Sequence, residues 1–95
     1  MKESEIRKAL KERVESLGGE VRAVSWLGRR HAPDVLCLFP QTPLWGAHHI
    51  FVETKRPGKT ATAAQAREHQ RLRDAGCIVR CTSTIEELDA WIPPR

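Results

Sequence analysis

Long hydrophobic runs are missing from these 95 residues. A membrane-spanning helix takes roughly 18 or more consecutive apolar residues, and no segment approaches that. The opening stretch, MKESEIRKALKER, is charged throughout and lacks the apolar centre of a secretory signal. A soluble protein of the cytoplasm, with no membrane partner, is expected. Cysteine is scarce: Cys37, Cys77 and Cys81 are an odd number with no C-x-x-C pair. A disulfide framework is not expected, and reduced thiols packed in or beside a core are. The four histidines share no zinc-ligand spacing with them. No G-x-S-x-G is present, which removes the nucleophile-elbow hydrolases. Internal repeats and Pro/Gly/Ser-rich linkers are also absent, so residues 1–95 read as a single domain. With 40% apolar and 29% charged residues, disordered and fibrous classes are excluded.

What the chain does have is an uneven charge. Residues 55–80 hold Lys55, Arg56, Lys59, Arg67, Arg71, Arg73 and Arg80 against only Glu68 and Asp74. That segment supplies the whole positive excess of a chain whose net charge is +4. Such a segment suits a polyanion, although a solvated helix face rich in arginine would read the same way.

Ile6, Leu10, Val14 and Leu17 are spaced for one stripe of a helix over 3–17, which Gly18-Gly19 ends. Strands are expected at 20–26 (EVRAVSW), 34–39 (DVLCLF, a buried run), 48–55 (HHIFVETK) and 77–81 (CIVRC). Pro40 to Ala47 reads as a turn or small loop. In the third strand, alternation puts Ile50, Val52 and Thr54 on one face and Phe51, Glu53 and Lys55 on the other. A helix follows from Thr62 to Ala75, stopped by Gly76. Thr84 and Glu87 suggest a capping box for a short last helix that turns Ile85, Leu88 and Ile92 inward, and Pro93-Pro94 closes it. The order α-β-β-β-α-β-α contains one β-α-β unit and hence a parallel strand pair. The fold class is α/β, a mixed four-stranded sheet flanked by helices.

The chemistry concentrates in Pro33-Asp34 and Glu53-Thr54-Lys55. Asp34 stands where a loop enters a strand, and a charge there lies at the sheet's end or is costly. Glu53 and Lys55 share a face of a strand expected to be central. Two carboxylates from adjacent strands make a hard-oxygen site suited to Mg²⁺, beside a lysine able to orient a water or stabilise phosphorane charge. A plain Glu53–Lys55 salt bridge, with Asp34 as a turn residue, is the competing reading. Gly58-Lys59-Thr60 ends like a phosphate-binding P-loop, but the glycine required five residues earlier is Glu53, so a nucleotide cofactor is not expected.

PD followed some twenty residues later by E-x-K, within α-β-β-β-α-β, resembles the PD-(D/E)xK nuclease superfamily. The finer likeness is to the virus-type replication-repair nuclease (VRR-NUC) domain. It rests on an early helix led by Glu, Gly18-Gly19, Gly28-Arg29-Arg30 ahead of Pro33-Asp34, FVETKRPGK, Gln65, Gly76 and a final strand. The resemblance implies a restriction-endonuclease-like fold and a metal-dependent DNA endonuclease. Asp34, Glu53 and the backbone carbonyl of Thr54 would hold Mg²⁺, or Mn²⁺ in its place. Lys55 would be the catalytic lysine. Glu3 would be the helix-one acid, with Glu5 its rival, and Gln65 would support the site unless it serves only the Thr62 capping box. It further implies a homodimer acting on branched DNA such as four-way junctions, and a phage or bacterial source.

Arg29, Arg30, Arg56 and Lys59 flank the carboxylates in sequence and are candidates for phosphate contacts, with Arg67 and Arg71 extending the track. The role of His31 stays open. No base-reading motif is present, so shape recognition is expected over sequence reading. Trp26, Trp45 and Trp91 are dimer-contact candidates, with core packing the alternative. The functional rival is a non-catalytic DNA-binding accessory module of the same fold.

Overall fold

The computed structural model describes residues 1–39 and 49–92 of the chain. Among the described residues, four strands and three helices follow in the order α1 (Glu3–Ser16), β1 (Glu20–Ala23), β2 (Val35–Leu38), β3 (His49–Thr54), α2 (Ala63–Asp74), β4 (Val79–Thr82) and α3 (Ile85–Trp91). The expected order and class hold. The sheet runs β1-β2-β3-β4. β2 is antiparallel to β1 and β3, whereas β4 joins β3 in parallel across the α2 crossover. The expected turn at 40–47, together with Trp45, His48 and Pro93-Pro94, lies outside the described residues.

α1 forms because Ile6, Leu10 and Val14 make one apolar seam, all fully buried. Its start is tied by the Lys2 backbone N–H donating to Glu5 Oε1 at 3.2 Å. Its end turns through Gly18 at φ 81°. Gly19 is there for a different reason. A Cβ on it would run into the Leu38 carbonyl oxygen and the Val14 side chain, so the exit of α1 lies directly against β2.

Leu10, Val14, Val35, Cys37, Phe39, Ile50, Val52, Leu88 and Ile92 form the core between the sheet and the α1/α3 layer. Trp91 packs at its edge, and its indole N–H donates to Thr82 Oγ1 at 3.1 Å. Arg13 of α1 pairs with Asp89 of α3 and so joins the two helices of this layer. The cap of α3 is split between two residues. Thr84 Oγ1 accepts from Glu87 N, but the Glu87 carboxylate turns to Ser83 rather than back to Thr84.

β1 and β2 depart most from what their sequences suggest. β1 stops at Ala23, because Trp26 turns away and its indole N–H donates to Pro33 O at 2.6 Å. The chain then bends through Gly28 and His31, both at positive φ. Leu36 and Leu38 are only half-buried, so β2 is covered on one face and not on both. The cover for the other face is α2, which lies over the β3–β4 side.

Candidate active site

β3 alternates as its sequence predicts. Ile50, Val52 and Thr54 point into the α1/α3 layer, while Phe51 and Glu53 take the α2 face. Continuing the register Val35↔Val52 by one residue sets Asp34 opposite Glu53, at the end where β2 begins and β3 finishes. The two carboxylates predicted from separate strands are therefore neighbours. Lys55 follows at once, its backbone N–H donating to Thr82 O at 2.8 Å, which holds it to β4.

α1 closes the site from the other side. Glu3 Oε1 accepts from Thr54 Oγ1 at 3.3 Å, whereas Glu5 is occupied at the Lys2 backbone. Of the two rival acids, Glu3 is the one at the strand end. Arg7, one turn after Glu3, reaches the same spot. Its Nη2 donates to Asp34 Oδ1 and Oδ2 at 3.4 and 3.3 Å and to Thr54 Oγ1 at 3.3 Å, and it lies 3.8 Å from Glu3 Oε1. Arg7 thus spans two acids of the cluster.

Glu53 is 8% exposed, and its carboxyl is pushed up to about 6. Burial is the main cause, followed by the negative charge of Asp34; Lys55 opposes the shift, Glu3 adds to it and Arg7 opposes it. Cys81 stands beside Glu53 in the β3–β4 register, and burial together with the Glu53 charge raises its thiol. Burial alone pushes Cys37 up to about 12. Both are held as neutral thiols, not nucleophiles.

The helix that covers Glu53 does so with polar residues. The buried side chains of α2 are Glu68 and His69. His69 Nε2 lies 3.7 Å from Glu53 Oε1, and the imidazole is held below its usual range by burial, with Arg73 and Lys55 adding to the effect and Glu68 opposing it. Glu68 accepts from Arg29 Nη2 at 2.9 and 2.6 Å and from Nε at 3.2 Å. That hydrogen bonding holds Glu68 below the usual carboxylate range and keeps Arg29 firmly charged. Gln65 caps α2, its Oε1 accepting from Thr62 N and its N–H donating to Thr62 Oγ1.

The loop carrying Arg29, Arg30 and His31 meets Arg67 and Arg71 of α2 around a pocket of about 330 Å³. Arg56 and Lys59 are exposed in the turn that leads from β3 to α2. Four of the arginines singled out from the sequence therefore converge, and His31 joins them. Trp26 stacks at a tilt on Phe51 with centroids 5.2 Å apart, and Trp91 packs against the core.

Sequence reasoning passed over Arg7, Glu68 and His69. Arg7 could have been found as the i+4 partner of Glu3. Glu68 and His69 had a subtler signal, since α2 has no aliphatic stripe of its own to bury.

Among the described residues, no three His, Cys, Asp or Glu side chains are gathered closely enough to enclose a metal ion. The donor set nonetheless fits a hard divalent cation. Two adjacent carboxylates, one with ionisation suppressed by burial and by the charge of the other, favour an added positive charge, and Mg²⁺ typically takes one or two carboxylates plus water and phosphate. No helix among the described residues is long and apolar enough to cross a membrane.

No family model matches the chain. A phage protein named "Putative nuclease p44", from Acyrthosiphon pisum secondary endosymbiont phage 1, is 39% identical over 72 residues, which span 76% of this chain and 72% of that protein. A solved structure described as a VRR_NUC domain superposes with a TM-score of 0.80 at 37% identity, covering 95% of this chain and 92% of that one. Likeness of that extent in both sequence and fold makes this chain a member of the virus-type replication-repair nuclease (VRR-NUC) family.

Proposed function

We propose that this protein is a Mg²⁺-dependent DNA endonuclease with a preference for branched DNA, acting as a homodimer. The observation that carries it is the meeting of Asp34, Glu53, Lys55 and Glu3 at one sheet end, in a member of a nuclease family.

Asp34 and Glu53, with the Thr54 carbonyl, would hold the metal, and Mn²⁺ would fit the same oxygens. A bound divalent ion would supply an activated water and offset charge building on the phosphorus oxygens. Lys55, next but one to Glu53 along the chain, would orient the attacking water and stabilise that charge. Glu3, through Thr54, anchors α1 to the strand end. Gln65 supports the site by fixing where α2 begins. Attack in line with the 3′-oxygen would leave a 5′-phosphate and a 3′-hydroxyl. The pocket lined by Arg30, His31, Arg67 and Arg71, with Arg29 held in its wall by Glu68, is the track for backbone phosphates, and Arg56 and Lys59 extend it toward the carboxylates. Two incisions at a junction require two sites, and one chain has one, which favours a dimer.

The test is cleavage of end-labelled four-way junction and matched linear duplex, in Mg²⁺ or EDTA, by wild type and Asp34→Asn. Metal-dependent cutting of the junction alone, lost in Asp34→Asn, is the expected result. Equal cutting of both substrates removes the junction preference, and DNA binding without cutting assigns the protein as an accessory module. Light scattering on the same sample checks the dimer.

A further inference from the structure

His69 is 2% exposed, and its Nε2 is the one buried side-chain nitrogen or oxygen among the described residues without a hydrogen-bond partner. A buried polar atom left unpaired lowers stability, and an aliphatic side chain would fill the same space without that penalty. The atom faces Glu53 Oε1 at 3.7 Å, just beyond hydrogen-bond reach. Its neighbour Glu68 already shows what the buried face of α2 does, gripping Arg29 through three contacts. Gln65, one turn earlier, fixes the helix start and with it the height of His69 over the sheet.

We propose that His69 is a positioning residue for Glu53: Nε2–H closes on Oε1 and fixes the carboxylate, leaving Oε2 for the cation in the cleft. Imidazole can place a hydrogen on Nε2 in its charged form and in one neutral tautomer, so the contact does not depend on titration. Partners of this kind orient ligating groups, and their loss typically weakens metal binding about 10–100-fold. The inference rests on the metal-dependent reading above.

The experiment titrates the whole chain with Mn²⁺ by calorimetry, without DNA, comparing wild type with His69→Gln, His69→Asn and His69→Leu. A glutamine amide nitrogen can stand near the Nε2 position, whereas an asparagine amide stands nearer Nδ1, and leucine fills the space with no nitrogen. His69→Gln is expected to bind within about 3-fold of wild type, and His69→Asn and His69→Leu at least about 10-fold more weakly. DNA affinity in EDTA and the circular dichroism spectrum should not separate the folded variants. Equal binding by all forms, or equal weakening in all three variants, overturns the positioning role while leaving the nuclease reading intact. If His69→Asn does not fold, the His69→Gln and His69→Leu pair decides in the same way. A wild type that binds no Mn²⁺ overturns the metal-dependent reading, and this inference with it.

Discussion

Glu53 is the residue with most at stake, because the fold holds it where it ionises reluctantly. Its carboxyl is raised to about 6, so the folded chain keeps a proton that the unfolded chain releases near the ordinary value of 4.5. Stability from this group is full at acid pH and falls as pH rises through about 6, by about 2 kcal/mol. Glu53→Gln should therefore be more stable than wild type by about that amount at pH 8 in EDTA, with the gap closing by pH 4. Urea denaturation at the two pH values measures it, and a constant gap would refute the assignment. Arg7 allows a second prediction. Its guanidinium already satisfies Asp34, so any other cation reaching that carboxylate has to compete with it. Arg7→Gln should tighten Mn²⁺ binding several-fold in calorimetry, while costing the metal-free fold under about 1 kcal/mol, as half-exposed pairs do. Unchanged affinity would show that Arg7 does not compete for Asp34.

Among the elements, the junction of α1 with β1 and β2 is the least forgiving. Gly19 sits where the helix exit touches β2, and alanine there would have to push back Leu38 backbone. Gly19→Ala should cost about 2–3 kcal/mol, seen as a lower denaturation midpoint. Thr62→Ala at the α2 cap should cost about 1 kcal/mol by the same measurement. The elements most legible in the sequence are those set by local rules: the Ile6–Leu10–Val14 seam, the Thr62/Gln65 box and the two-residue alternation of β3. β1 ends earlier than its composition suggests because Trp26 is β-favouring by type but is captured by Pro33 across a loop, a contact no local pattern contains. The apolar run of β2 suggests burial on both faces, because it does not disclose that α2 covers only the far half of the sheet. The strand-end acids were legible because strand order and alternation bring Asp34 and Glu53 together. His69 and Arg7 were not, since their importance comes from what they face across the fold.

For the molecule as a whole, the charge excess of residues 55–80 becomes a surface only when it is joined by the 28–31 loop. Arg67 and Arg71 line the pocket with Arg29, Arg30 and His31, on the side of the sheet that carries Glu53. DNA affinity should fall linearly on a log–log plot against salt, and Arg71→Ala should reduce the slope by about one, with little dependence on sequence. Fluorescence anisotropy across a salt series measures this, and an unaltered slope would place the phosphate track elsewhere.

Arg7 also bears on how the protein can be handled and kept. Acids crowded at one sheet end repel one another and would otherwise draw a counter-ion from solution. Here the counter-charge is built into the first helix, one turn past Glu3, so the chain brings its own neutralisation wherever it goes. The protein is therefore expected to fold in a chelator, with a circular dichroism spectrum unchanged by added divalent ion.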